Sequence, residues 1–200
     1  MGQGLNTKIA QIVAQAFSLD LDKVRITATN TDKVPNTSPT AASSGTDLNG
    51  MAALNAANTI KIRLVNFIAE HFNVDPTQIA FADNMIDYGP EKISFPELIS
   101  LAYMNSISLS STGYYATPKI HYDRSKSEGK PFFYYANGVS LSEVEIDTLT
   151  GENTVTRVDI LHDVGDSINP ALDIGQIEGG FTQGMGWLTT EELQWDNSGR

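Results

Sequence analysis

The sequence predicts an α+β fold built from mixed helices and β-hairpins. Two long segments in the first third repeat apolar residues at helical spacing, whereas a later segment alternates apolar and polar residues as paired strands do. Helices and strands follow each other in no regular order, and no internal repeat is evident. This mixed order is typical of α+β proteins rather than of regularly alternating α/β folds.

Two helices and one strand are predicted in the first third of the chain. Apolar residues at helical spacing predict a helix over residues 4–17, with one buried face. Apolar and polar residues then alternate over residues 24–28, which predicts a half-buried strand. A longer helix is predicted over residues 46–72, with Thr46 or Asp47 as its N-cap.

The middle of the chain predicts short strands followed by a third helix. Residues 79–81 and 85–86 are β-like segments among turns. Ser94 is a candidate cap for a helix that has Pro96 in its first turn and ends near Met104.

A β-hairpin dominates the second half. Tyr114 and Tyr115 fall in a β-like stretch, and residues 123–130 read as a polar loop. The alternating arms 139–147 and 155–164 flank a turn at 149–152 and predict a hairpin.

Two breaks in pattern refine this half of the chain. The apolar phase slips by one residue near Ser142 and Glu143, which predicts a β-bulge. Asn169 and Pro170 end the strand region, and residues 173–188 read as a glycine-rich helix. We expect approximate lobes at residues 1–107 and 108–200, both within a fragment of a larger protein.

Composition narrows the class of function. The 24 acidic and 13 basic side chains give a net charge of −11, which argues against a nucleic-acid or anionic-membrane surface. The absence of cysteine excludes disulfides and cysteine-ligated metal centres within the chain, so a cytoplasmic location is expected. The long apolar run of a membrane span is absent.

Three predicted helix starts offer neutral hydrogen-bond donors. The hydroxyl-rich loop at residues 35–47 ends where the 46–72 helix begins, so it can present N–H groups and hydroxyls to an anion. Gln3 lies in a Gly-Gln-Gly turn just ahead of the first helix. Gln176 lies near the start of the glycine-rich helix.

Each of these features also has a structural explanation. Glycine costs about 1 kcal/mol per residue in a helix interior, and close helix–helix packing would compensate for it as well as a ligand would. The Gln3 turn could simply begin a helix, and prolines and hydroxyls occur in many surface loops. The hairpin acids Glu143, Glu145 and Asp147 are best explained as a solvated face. The aromatic run 132–135 is explained as strand core or as packing against a missing partner lobe, and His162 as structural.

Seven motifs, in order along the chain, carry a resemblance to one family. They are MGQGLNTK (1–8), PNTSPTAASSGT (35–46), STGYYATP (111–118), SEVEIDTLTG (142–151), DVG (163–165), NPA (169–171) and DIGQIEG (173–179). Together they resemble the molybdopterin-binding domain of the xanthine dehydrogenase/aldehyde oxidase family of molybdenum hydroxylases. The resemblance spans essentially all 200 residues.

The resemblance implies a molybdenum–molybdopterin cofactor, whose metal no protein side chain ligates in this family. It implies that Gln3 and Gln176 hydrogen-bond the cofactor, and that Ser43 and Thr46 bind its phosphate or pterin. Ala42 is expected beside the metal, with its backbone N–H facing the substrate. Gly45 stands where many relatives carry a hydroxyl, so a backbone N–H would replace that contact.

The implied reaction is hydroxylation of an electron-poor carbon, such as a purine C–H of hypoxanthine or xanthine, with oxygen taken from water. The family's general-base glutamate follows a glycine-rich motif, and none of Glu191, Glu192 and Asp196 lies in one. We therefore assign no catalytic residue within the chain, and we expect the fragment alone to be inactive.

The implied partners are a purine substrate and FAD and 2Fe-2S groups on other subunits or domains. Self-association of the fragment through uncovered apolar surface is also expected. Two alternatives remain: an aldehyde oxidase or other N-heterocycle hydroxylase, and a non-catalytic structural module.

Overall fold

The computed structural model describes residues 2–30, 32, 40 and 43–200. Contacts divide the chain into unit 1, which extends to Pro118, and unit 2, which covers Lys119–Arg200. The described residues form four α-helices and small antiparallel sheets, so the predicted α+β class is confirmed. The elements are α1 (Leu5–Phe17), α2 (Gly45–Phe72), β1 (Ile79–Ala82), β2 (Met85–Tyr88), β3 (Glu91–Ser94), α3 (Phe95–Met104), β4 (His121–Asp123), β5 (Glu128–Lys130), β6 (Gly138–Ile146), β7 (Asn153–His162) and α4 (Pro170–Thr189).

Helices α1 and α2 lie side by side and run parallel. Near their N-termini, a Cβ added to Gly45 would lie 2.8 Å from Leu5 Cδ2, and further along one added to Gly50 would lie 2.7 Å from Ile12 Cδ1. Towards the C-terminal end of α1, Lys61 of α2 reaches a carbonyl of the last turn. The contacts advance in the same direction along both helices, so the two N-termini lie at the same end of unit 1.

A three-stranded antiparallel meander, in the order β1-β2-β3, completes unit 1 with α3. Ile86 lies opposite both Phe81 of β1 and Ile93 of β3, and its side chain is fully buried. The other fully buried large side chains are Leu64 and Ile68 of α2 and Leu98 of α3. The core of unit 1 therefore lies against the C-terminal half of α2.

Helix α3 begins with the cap that the sequence predicts. The Ser94 hydroxyl accepts a hydrogen bond from the Glu97 N–H, and the Glu97 carboxylate accepts one from the Ser94 N–H. This reciprocal pair is a capping box, and Pro96 lies in the first turn. The helix ends at Met104, so both predicted boundaries are confirmed.

A segment without regular secondary structure, residues 107–115, follows α3 and packs on unit 1; we call it the strap. Ile107 and Leu109 pack against the core, and Arg63 of α2 hydrogen-bonds the strap. Because of these contacts the boundary between the units falls after Pro118, later in the chain than the approximate division at residue 107.

Unit 2 contains two hairpins and one helix. The β6–β7 hairpin follows the prediction, and its register shifts between Glu143 and Val144, where a bulge is expected. Helix α4 starts at Pro170, three residues before the predicted start. Asn169 caps it by accepting a hydrogen bond from the Leu172 N–H.

Unit 2 lacks a core of its own. All of its residues are described, and none is fully buried. The run 132–135 is neither strand nor core, because it is irregular and its four aromatic side chains are 42–67% exposed. The prediction of strand core is therefore wrong here.

Three further local predictions are wrong. Residues 24–28 pair with no strand in the described chain, so their alternation produces an irregular and mostly exposed segment. Helix α2 begins one residue early, with Ser44 rather than Thr46 or Asp47 at the N-cap position. The predicted polar loop 123–130 contains most of the β4–β5 hairpin, because the ends of the segment pair around a tight turn.

Candidate functional site

The candidate site in unit 1 is the end where the N-termini of α1 and α2 meet. Neither helix has a side-chain hydrogen bond at its N-cap, which is Gly4 in α1 and Ser44 in α2. By contrast, α3 and α4 are both capped by side chains, those of Ser94 and Asn169. Uncapped N-termini leave backbone N–H groups for a ligand, and two parallel helix dipoles place partial positive charge at the same end.

Gln3 lies in the turn that leads into α1. Gly4 closes this turn with a φ of 73°, a left-handed conformation that glycine adopts without strain. Gln3 is half-buried and directly precedes Gly4, the N-cap residue of α1. The Leu5–Gly45 contact, two residues further on, places this turn beside the first turn of α2.

The first turn of α2 supplies the other donors of unit 1. Ser43 is exposed just ahead of the helix, and Thr46 is half-buried in its first turn. The Ser44 carbonyl accepts a hydrogen bond of 2.9 Å from the Leu48 N–H, which begins the regular helical ladder. The N–H groups of Gly45 and Thr46 precede this ladder and have no helical acceptor.

Gly45 is a point of close approach between the two helices. It is buried, and an added Cβ would lie 2.8 Å from Leu5 Cδ2 and 3.0 Å from Thr40 Cγ2. A larger residue would therefore force one of these side chains to move. Gly45 would contribute its backbone N–H to a ligand, while its small size lets α1 and α2 meet. Ala42, the residue expected beside the metal, lies outside the described residues.

Among the described residues, the predicted donor side chains have no competing partner. In the described part of the chain, the side chains of Gln3, Ser43, Thr46 and Gln176 form no hydrogen bond with another residue. Amides and hydroxyls of this kind suit a polyanionic organic cofactor, which needs several directional donors. The residues present therefore fit the phosphate and pterin groups of the expected cofactor.

Gln176 belongs to unit 2, where it lies in the second turn of α4. It is exposed, and its neighbours at the i+3 and i+4 positions are Gly179 and Gly180. A Cβ added to either glycine would have no atom within 4 Å in the described structure. The predicted close packing of these glycines against another helix is therefore not observed. Gln176 instead stands beside a flat backbone surface that a flat ligand could approach.

The opposite side of α4 faces strand β7 across a groove of about 460 Å³. Its apolar lining includes Ile160 of β7 and Ile177 and Phe181 of α4. His162, Asp173 and Glu178 add polar groups to the lining. Gln176 does not line this groove, so the two faces of α4 are chemically distinct.

The titratable groups with shifted pKa values have structural explanations. Hydrogen bonds from Ser94 lower the pKa of Glu97, and those from Thr77 lower the pKa of Asp75. Hydrogen bonds from the Arg200 N–H and from Ser198 lower the pKa of Asp196. None of these groups lies at the uncapped end of unit 1. Nor do the described residues contain a cluster of three or more His, Cys, Asp or Glu side chains that could hold a metal.

Comparison with known proteins identifies what the chain resembles. A family profile described as a molybdopterin cofactor-binding domain matches residues 1–200. Xanthine dehydrogenase of Dictyostelium discoideum is 47% identical over 196 residues, covering 96% of this chain, and that of Oryza sativa subsp. japonica is 46% identical over 195 residues, covering 98%. The chain spans 13% of the length of each of these relatives. Among solved structures, reconstituted CO dehydrogenase from Oligotropha carboxidovorans matches with a TM-score of 0.78 and 25% identity, covering 100% of this chain and 24% of that one.

Proposed function

The chain belongs to the molybdopterin cofactor-binding domain family, and from this membership we propose that it forms one wall of the cofactor site of a xanthine dehydrogenase. The family assignment makes molybdenum–molybdopterin the cofactor class. The observation that carries the proposal is the pair of parallel, uncapped helix N-termini with Gln3 at one and Thr46 at the other.

The chain's own residues would bind the cofactor through neutral donors. Gln3 would donate from the turn before α1, and Ser43, Gly45 and Thr46 would donate from the start of α2. Gln176 would donate from the glycine face of α4. Ala42 remains the residue proposed to lie beside the metal, with its N–H directed at the substrate.

The bound molybdenum cofactor supplies two-electron oxidation of a C–H bond, with water as the source of oxygen. This chain's part is to bind and orient the cofactor. Glu191, Glu192 and Asp196 are not assigned as bases: Asp196 is engaged in backbone hydrogen bonds, and the glutamates lie in no glycine-rich motif. The 200-residue chain on its own is therefore proposed to be inactive.

Hypoxanthine and xanthine are the proposed substrates of the complete enzyme. The support is the name shared by relatives that are more than 40% identical to the chain. Aldehyde oxidation and oxidation of other N-heterocycles are the alternative activities. The alternative from another class of function is a non-catalytic structural module that binds no cofactor.

The proposed setting is a larger assembly with FAD and 2Fe-2S groups in other domains or subunits, which would carry the electrons away. A cytoplasmic location is proposed from the absence of cysteine. Within the described residues, no helix is both long and apolar enough to cross a membrane.

The proposal is tested on the complete polypeptide that contains this chain. Molybdenum is measured by metal analysis and the pterin by its fluorescence after acid release, and both are expected in equal amounts. Turnover is then compared between hypoxanthine and an aromatic aldehyde. Absence of molybdenum and pterin would contradict the cofactor role, whereas equal rates would contradict only the purine assignment.

A further inference from the structure

The strap, residues 107–115, runs along α2 towards the candidate site. At its start, Arg63 Nη1 donates hydrogen bonds to the Ser108 carbonyl at 3.2 Å and to the Ser110 carbonyl at 2.8 Å. Near its end, Asn55 Nδ2 donates a hydrogen bond of 2.8 Å to the Tyr114 carbonyl. Residue numbers rise along the strap as they fall along α2, so the strap runs antiparallel to the helix.

The strap is long enough to span this part of the helix. From Arg63 back to Ala52, α2 covers about 16 Å at about 1.5 Å per residue. From Ser108 to Gly113, an extended chain covers about 16 Å at about 3.3 Å per residue. An extended strap can therefore reach from the Arg63 contacts to Ala52.

Gly113 marks the closest approach of the strap to α2. A Cβ at this position would overlap the Ala52 carbonyl oxygen and would lie 2.8 Å from the Ala56 nitrogen. Both atoms belong to the helix backbone, so no side-chain movement could relieve the clash. The φ of Gly113 is not positive, so its backbone conformation does not require glycine. The close contact with α2 is what requires it.

These contacts act on the half of α2 that buries no large side chain. The large buried side chains of α2, Leu64, Phe67 and Ile68, all lie in its C-terminal half. The N-terminal half buries Gly45 and Gly50, which lie against α1, and Ala57 near its end, whose side chain is a single methyl group. Ala52 lies about 200° around the helix from Gly50, so the strap covers the side that α1 leaves open.

We propose that the strap fixes the position of the N-terminal half of α2, and that Asn55 is a positioning residue for the cofactor site. That Asn55 positions a cofactor site rests on the proposed function. That the strap holds α2 in place rests only on the contacts described above. Asn55 would act through the helix and would not touch the cofactor. Loss of its hydrogen bond would let the strap lift from Ala52 and allow the first turns of α2 to move.

The test compares Asn55→Ala with Asn58→Ala in the complete polypeptide. Asn58 lies on the same helix and is exposed, and its side chain forms no hydrogen bond in the described structure, so it is a matched control. Hydrogen exchange of the amides in residues 49–56 and the rate of molybdenum loss on dialysis are measured. Both are expected to be about fivefold faster in Asn55→Ala, as expected for one lost hydrogen bond. The molybdenum electron paramagnetic resonance signal is expected to change only in that variant.

Gly113→Ala provides an independent second variant, because it lifts the strap without altering α2. It should reproduce the exchange effect in residues 49–56 while leaving the exchange of α3 unchanged. The proposal is overturned if both variants match Asn58→Ala in exchange and in molybdenum loss. If the wild-type polypeptide holds no molybdenum, the proposed function fails. The exchange measurement still decides whether the strap holds the N-terminal half of α2 in place.

Discussion

The ammonium group of Lys61 donates a hydrogen bond of 2.7 Å to the carbonyl oxygen of Ala16 in the last turn of α1. The same group lies 4.7 Å from the centre of the Phe81 ring, and burial lowers the pKa of this ammonium. A cation at this position satisfies a carbonyl that has no helical donor and opposes the negative end of the helix dipole. Lys61 therefore fixes the C-terminal end of α1 against α2.

Replacing Lys61 with alanine is expected to lower the free energy of unfolding by about 1 kcal/mol, because the carbonyl bond and the ring contact are lost together. Urea unfolding followed by far-ultraviolet circular dichroism measures the change. Lys23→Ala removes an exposed ion pair with Asp22 and should change stability by less than about 0.5 kcal/mol. Equal effects of the two substitutions would argue against a special role for Lys61.

The capping box of α3 should make the free energy of unfolding depend on pH. The Ser94 hydrogen bonds lower the pKa of Glu97 in the folded state, so its carboxylate adds stability above the unfolded pKa. That contribution is lost as the pH falls through the folded pKa. Ser94→Ala is expected to cost about 1 kcal/mol at neutral pH and less once Glu97 is protonated. Urea unfolding at a series of pH values checks this, and a constant difference would be the contrary result.

Gln3→Ala should weaken cofactor retention without changing the fold. Loss of one neutral donor is expected to speed molybdenum release from the complete polypeptide about fivefold. Gln15→Ala, on the exposed side of α1, is the control and should release molybdenum at the wild-type rate. Identical release from both variants would remove Gln3 from the proposed site.

Gly180→Ala should have effects of opposite sign on the helix and on the cofactor. An added methyl group meets no atom within 4 Å, so the substitution should stabilise α4 by up to about 1 kcal/mol. In the complete polypeptide the same methyl group would intrude beside Gln176 and speed molybdenum release. Thermal unfolding and metal analysis measure the two effects, and a stabilised helix with unchanged release would show that the cofactor does not approach this face.

Exposed apolar side chains of unit 2 should drive self-association of the 200-residue chain. Leu141 and Leu161 are 62% and 74% exposed on the β6–β7 hairpin, and Trp187 is 71% exposed on α4. Sedimentation velocity over a range of concentrations is expected to show species larger than a monomer. Leu161→Lys should shift the distribution towards the monomer. A chain that stays monomeric at high concentration would contradict this expectation.

Local patterns predicted the elements whose stabilising contacts are close in sequence. The Ser94–Glu97 cap, the β6–β7 hairpin and its bulge near Glu143 depend on neighbouring residues, and each was found where predicted. The prediction of a strand at residues 24–28 was wrong because a strand needs a pairing partner, which the alternation of apolar and polar residues cannot supply. The β4–β5 hairpin was missed because its arms are too short to show a period.

The candidate site was likewise only partly predictable from the sequence. Sequence motifs predicted the candidate cofactor-binding residues Gln3, Ser43, Gly45, Thr46 and Gln176. They could not predict the parallel packing of α1 on α2. That packing depends on contacts such as Gly50 with Ile12, which are distant in sequence. The one available signal was a glycine on the apolar face of a long helix, which suggests close approach without identifying the partner.

The parallel packing of α1 and α2 has an energetic consequence for the protein without its cofactor. Two helix dipoles that point the same way repel each other. Neither N-cap has a side-chain hydrogen bond, and of the two first turns only that of α2 carries an acid, Asp47. An anion bound at that end would turn the repulsion into attraction for both helices. Binding of the proposed cofactor at this end would then be thermodynamically linked to the stability of unit 1, so the cofactor would act as part of the folded structure that holds it.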